Sequence, residues 1–77
     1  VRIPRAKGQI VVVMWLDAVG YIGESASEAK PAECETIGRL HKIGSDHIVI
    51  ATSTYSDDES GDYTVLPKGM ITSIKEL

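Results

Sequence analysis

The sequence predicts one small all-β domain whose five strands bend into a barrel. A chain of 77 residues has room for a single domain with a compact core. Three Tyr, one Trp and no Phe leave Val, Ile and Leu to build that core, and Val and Ile favour strands. Polar segments that contain glycine separate the apolar runs, as turns separate the strands of a β protein.

The first strand is predicted over residues 9–17, whose sequence QIVVVMWLD is apolar without regular polar alternation. Such a run is typical of a strand that is covered on both faces, or of one whose outer face meets a partner. Residues 1–8, VRIPRAKG, precede it as a basic arm. Residues 9–77 then form the domain itself.

A long connection follows the first strand. Gly20 and Gly23 predict an irregular loop there. The sequence SASE from Ser25 fits the capping box that begins a helix, and Pro31 ends it. The sequence therefore predicts a short helix of at most about two turns in this first long loop.

The second and third strands are predicted as a β-hairpin. Residues 34–43, CETIGRLHKI, alternate imperfectly between two faces, and Gly38 among them indicates a bulge or a bend at which the strand curls. Residues 44–46 supply the turn. Residues 47–55, HIVIATSTY, follow as a strand rich in β-branched side chains.

The end of the chain predicts a second hairpin and a final strand. Residues 56–62, SDDESGD, are polar and contain glycine, and residues 63–66, YTVL, form a short strand after them. Pro67 and Gly69 break that strand. Residues 70–77, MITSIKEL, then suit a 3₁₀ turn and a last short strand.

Two stretches carry family resemblances. Residues 61–71, GDYTVLPKGMI, resemble the end of SH3-like barrels, in which a hydrophobic residue and a proline lead through a 3₁₀ turn into the last strand. The chain is also similar to small uncharacterised proteins of phages and prophages in Trp15-Leu16-Asp17, in PAEC at residues 31–34 and in PKGMI at residues 67–71. These resemblances imply an SH3-like barrel and a phage or prophage origin.

The charge balance disfavours nucleic acid as a partner. Eight basic and eleven acidic side chains give a net charge of -3, which is opposite to the balance that captures phosphate backbones. The alternative hypothesis is a nucleic-acid-binding barrel that uses the basic arm, since small β barrels do bind RNA or DNA. Its basic patch would consist of Arg2, Arg5, Lys7, Arg39 and Lys42.

Two groups of side chains carry atoms of the kind that bind metals. A zinc site needs four ligands with paired short spacings, which the mixed donor set Cys34, His41, Asp46 and His47 lacks. A calcium loop needs alternating oxygen ligands and a terminal bidentate Glu, a pattern that Asp57, Asp58, Glu59 and Asp62 do not meet. We therefore expect no metal, no cofactor and no small-molecule substrate.

The sequence predicts a protein that is not an enzyme. Cys34 with His41 or His47 is the closest approach to a nucleophile and its base, but no Gly-flanked nucleophile accompanies them. No Gly-rich phosphate loop occurs. We expect Cys34 to be a small buried apolar residue.

The expected compartment is the cytoplasm. The single cysteine forms no internal disulfide, which suits a reducing environment. No signal peptide is in view, and the longest apolar run, residues 10–16, is far short of the roughly 20 residues that span a bilayer.

The predicted function is that of a small interaction or assembly module. The apolar first strand needs cover on its second face, either from residues 25–30 or from another protein chain. We expect it to bind another protein or itself, with a homo-oligomer favoured. The predicted interface residues are Val11, Val13, Trp15, Tyr21 and Tyr55.

Overall fold

A computed structural model describes residues 2–3, 7–23, 25–56 and 60–77. Five antiparallel strands form one sheet in the order β4-β3-β2-β1-β5. This confirms the all-β, five-stranded prediction, and the first four strands begin and end within two residues of their predicted bounds. The strands are β1 (Ile10–Asp17), β2 (Ala32–Ile43), β3 (His47–Thr54), β4 (Gly61–Pro67) and β5 (Ile71–Glu76).

The long strand β2 joins the two halves of the sheet. Residues 32–39 pair with β1 and residues 39–43 pair with β3, so Arg39 lies between both neighbours. The register shift lies between Leu40 and Lys42. Of the predicted bulge or bend at Gly38, the bulge is not there, because pairing of Gly38 with β1 is regular. A Cβ on Gly38 would lie 2.6 Å from the carbonyl oxygen of Ala51, so this glycine permits close approach of β3.

The predicted short helix is one turn of 3₁₀ helix at Ala26–Glu28. Its start is as predicted: the side chain of Ser25 accepts a hydrogen bond from the Ser27 amide at 3.4 Å. Ala29 is already extended, because the few residues before Pro31 are too short a stretch to repay helix nucleation. A second 3₁₀ turn, Lys68–Met70, joins β4 to β5 as the sequence predicts.

One apolar core receives side chains from all five strands. Because β4 and β5 are opposite edges of the sheet and only a three-residue turn joins them, the sheet must curl around this core. Partly buried Ile3, Trp15 and Ile74 pack against it. Its buried members are Val11, Val13, Leu40, Ile48, Ile50, Leu66 and Ile71.

The end of the basic arm is attached to the sheet. The Gly8 amide donates to the carbonyl oxygen of Leu40 at 2.7 Å, and the Leu40 amide donates to that of Gln9 at 2.8 Å. Gly8 has a φ of 93°, a conformation that glycine adopts without strain. Within the described ranges, no helix combines the length and apolar character needed to cross a membrane.

Candidate protein-interaction face

The two faces of β1 differ in burial. Val11 and Val13 are 0% exposed and face the core, so the prediction that they form a protein interface is wrong. The outward side chains are Val12, Met14 and Leu16, which are half-buried. Successive side chains of a strand point to opposite faces, and an apolar run on both faces does not tell which one is inside.

The strand β2 extends this outward face with an apolar side chain. Ile37 pairs with Val12 in the β1–β2 register and is 52% exposed. In the part of β2 that pairs with β1, the other residues on this outward face are charged. The residues on the inward face are small or apolar, and the next of them along the strand, Leu40, is fully buried. We call Val12, Met14, Leu16 and Ile37 the outer apolar patch.

Charged and polar side chains surround the outer apolar patch. On β2, Glu33 pairs with Leu16, Glu35 with Met14 and Arg39 with Ile10. On β5, Lys75 pairs with Val12 and Ser73 with Met14. A shallow depression beside the patch is lined by Met14, Trp15, Leu16, Glu33, Thr72 and Ser73. The patch is thus apolar at its centre and charged at its rim.

Trp15 belongs to the inner side of β1. It is half-buried, packs against the core, and its indole Nε1 donates to Thr36 Oγ1 at 2.9 Å. A covered indole N–H needs a hydrogen-bond acceptor, and the hydroxyl of Thr36 supplies it. The tryptophan predicted at the interface therefore stabilises the β1–β2 pair from within.

The two predicted interface tyrosines lie away from the patch. Tyr21 is in the loop between β1 and β2, where its hydroxyl donates to the carbonyl oxygen of Lys30 at 2.9 Å and closes the loop on itself. Tyr55 is 68% exposed just after β3. Neither tyrosine lies on β1 or on the two strands that pair with it.

The basic residues of the alternative hypothesis are partly brought together. Arg39 Nη1 donates to the carbonyl oxygen of Gly8 at 2.5 Å, which places it beside the segment that carries the exposed Lys7. Arg2 and Lys42 are exposed. Arg5 lies outside the described residues.

The candidate zinc ligands and the candidate nucleophile do not form one group in the described part of the chain. Cys34 is half-buried near the start of β2, and its Sγ donates to the Ala32 carbonyl oxygen at 3.7 Å. His41, about 20 Å further along the strand, packs its ring against Tyr63 with centroids 4.8 Å apart. Among the described residues, no three His, Cys, Asp or Glu side chains form a group that could hold a metal.

The turn between β2 and β3 holds an acidic and a basic side chain in contact. His47 Nδ1 lies 2.6 Å from Asp46 Oδ1. The hydrogen bond and then the charge of His47 hold the pKa of the Asp46 carboxyl below its usual value. Of the carboxylates weighed for calcium, Asp62 is exposed, and Asp57, Asp58 and Glu59 lie outside the described residues.

Sequence reasoning missed the outer apolar patch, although one signal pointed to it. Ile37 stands between Glu35 and Arg39 on the charged face of an alternating strand. A single apolar residue on a surface is ordinary, so Ile37 points to a patch only together with its apolar partner Val12 on β1. Comparison with protein-family models, with curated proteins and with solved structures finds no match to this chain.

Proposed function

We propose that this protein is a small non-catalytic interaction module that binds protein, either a second copy or a different chain, through the outer apolar patch. The observation that supports this most is the patch itself: Val12, Met14 and Leu16 are only half-buried and Ile37 is 52% exposed on the face opposite the core. Covering each of these side chains would contribute on the order of 1 kcal/mol.

The layout of the patch supports protein as the ligand class. Protein interfaces combine a desolvated apolar centre with a polar rim. Here the centre is aliphatic, and Glu33, Glu35, Arg39 and Lys75 stand around it. The residues of the first long loop do not cover it, since 25–30 are all exposed and Tyr21 ties that loop to itself.

We also propose that the curled sheet is an SH3-like barrel of phage or prophage origin. Support for the fold comes from the strand order β4-β3-β2-β1-β5 and from the 3₁₀ turn between β4 and β5. Support for the origin is the similarity carried by Trp15-Leu16-Asp17 and by residues 31–34 and 67–71.

Site-specific cross-linking tests the proposed function. A photo-reactive side chain replaces Ile37 in one variant and Ile22 in another, and both are irradiated in cells that produce the chain. Ile22 is the matched control because it is 95% exposed but lies on the first long loop. We expect position 37 to form covalent products with protein, either this chain or another, in much higher yield than position 22.

A second substitution ties those products to the patch. Met14→Lys places a charge on the same outward face of β1, diagonally across from position 37. It should reduce the position-37 products severalfold without unfolding the chain, because Met14 faces outward. Equal yields from positions 37 and 22, or products that Met14→Lys leaves unchanged, would reject the proposal.

Nucleic acid is the second candidate function. The hydrogen bond from Arg39 to the Gly8 carbonyl favours nucleic-acid binding, because it holds Arg39 of β2 beside the end of the basic arm. Fluorescence anisotropy with a labelled single-stranded nucleic acid tests this function. If the basic arm binds it, the affinity should fall steeply with added salt and be lost in the double variant Arg2→Ala with Arg5→Ala. Binding that survives those substitutions would contradict it.

A further inference from the structure

We propose that the partner of the outer apolar patch is a second copy of this chain, bound face to face with its strands antiparallel about a two-fold axis. This inference rests on the proposed function. It is carried by the positions of two charged side chains, Glu33 and Arg39, at opposite ends of the outward face of the part of β2 that pairs with β1.

Glu33 and Arg39 cannot pair within one chain. Both are exposed, and in the β1–β2 register they stand opposite Leu16 and Ile10, the two ends of β1's outward row. Six residues of strand separate them by about 20 Å. Among the described residues, no basic side chain forms an ion pair with Glu33.

A two-fold axis brings these charges together. Thr36 lies midway between Glu33 and Arg39 and pairs with Val13 of β1. An axis across the strands at this level places Glu33 of each copy opposite Arg39 of the other. The same operation sets Val12 against Met14 and Ile10 against Leu16, so the apolar row of β1 matches itself, as an isologous interface requires. On β2 it sets Glu35 of each copy against Ile37 of the other.

The alternative two-fold axis runs along the strands and makes the strands of the two copies parallel. This parallel arrangement lacks the charge complementarity. It lays β2 of one copy over β5 of the other, which places Lys75 against Ile37 and Arg39 at the level of Leu77, the residue hydrogen-bonded to Ile10. In that arrangement the side chains opposite Glu33 and Arg39 carry no opposite charge. Charge pairing therefore selects the antiparallel arrangement, since matched charges fix orientation at interfaces.

The size of the face predicts a weak dimer. The face is three strands wide, and each strand contributes about four outward side chains, so it measures roughly 15 by 25 Å. The area of this face is below the roughly 800 Å² that each partner buries in a standard interface. We expect a dissociation constant on the order of micromolar or weaker. The dimer should therefore form and dissociate over an ordinary range of protein concentration.

Charge exchange tests the arrangement. Glu33→Arg, Arg39→Glu, the double variant and an equimolar mixture of the two single variants are compared with the parent chain by sedimentation velocity and native mass spectrometry over a range of concentration. Each single variant should dimerise about tenfold more weakly or worse, because two attractive pairs become repulsive. The double variant and the mixture should regain dimerisation, since both restore opposite charges across the axis.

The controls separate charge from fold. Glu28→Arg and Lys30→Glu make the same charge changes on the exposed first loop and should leave the dimer unchanged. Arg39→Glu also removes the bond to Gly8, but dimerisation in a mixture of two variants that each fail alone cannot arise from a damaged fold.

Three results would overturn the inference: a parent chain that stays monomeric at every concentration, single variants that dimerise normally, or a mixture that does not recover. In that case, position-37 cross-links to a different protein would leave the proposed function standing. Absence of any such cross-link would reject both.

Discussion

The inner and outer faces of β1 carry side chains of the same kind in different surroundings. Val11 and Val13 are fully buried, whereas Val12 between them is only half-buried beside the exposed Ile37. Inside, neighbouring strands and the far edges of the curled sheet supply contacts in every direction. Outside, cross-strand neighbours supply contacts only at the sides. The difference shows that position in the pleat, and not hydrophobicity, decides which valine stabilises the fold and which remains able to bind.

The largest expected effect comes from truncating one valine on each face. Val13→Ala should lower the free energy of unfolding by about 2–3 kcal/mol, because it removes buried methyl groups and leaves a cavity. Val12→Ala should cost less than about 1 kcal/mol. Urea denaturation of the dilute proteins measures both, and equal losses would show that the two faces are equally covered.

The next largest effect is expected from β2, where a substitution at the inward Gly38 is compared with one at the neighbouring outward Ile37. Gly38→Ala should cost about 1–2 kcal/mol, because the added Cβ would crowd a neighbouring chain; the oxygen of Ala51 and Cγ2 of Ile50 would each be 2.6 Å away. Ile37→Ala, although it removes more atoms, should cost less. Gly69→Ala is the control, since nothing lies within 4 Å of its added Cβ. A larger loss for Ile37→Ala than for Gly38→Ala would contradict the assignment of faces.

The smallest effect concerns a polar contact on the exposed surface. The folded-state pKa of Asp46 is depressed by His47, so the stability that Asp46 contributes is present above its unfolded-state pKa and is lost as the pH falls through the folded-state value. A carboxyl-detected NMR titration should show Asp46 titrating below an ordinary aspartate, and His47→Gln should return its pKa towards normal. An unchanged pKa in that variant would show that His47 is not the cause.

The strands could be predicted because local signals agree with the fold. β-branched runs at residues 9–17 and 47–55 became β1 and β3, and the polar residues 44–46 separate β2 from β3. Of the second polar segment, Gly61 and Asp62 already belong to β4. Only a short 3₁₀ turn remained of the predicted helix, since a favourable start at Ser25 does not offset a stop six residues later.

The candidate site could not be predicted in the same way. In a run such as IVVVMWL, residues of both parities are apolar, so alternation gives no information on the inward face. The pairing partners decide it: Val13 faces inward because Thr36 and Ile74 are its neighbours on β2 and β5. Gly38 misled the placement of the bulge because glycine serves close strand approach as well as irregular pairing.

The pairing of β1 with β5 affects the order in which the sheet forms during synthesis. The hairpins β2–β3 and β3–β4 join neighbouring segments, whereas the β1–β5 ladder joins Val13 to Ile74 across most of the chain. Closing so long a loop costs entropy before its contacts form, so this ladder should assemble last. A ribosome must therefore release residues 71–76 before β1 acquires both of its neighbours in the sheet.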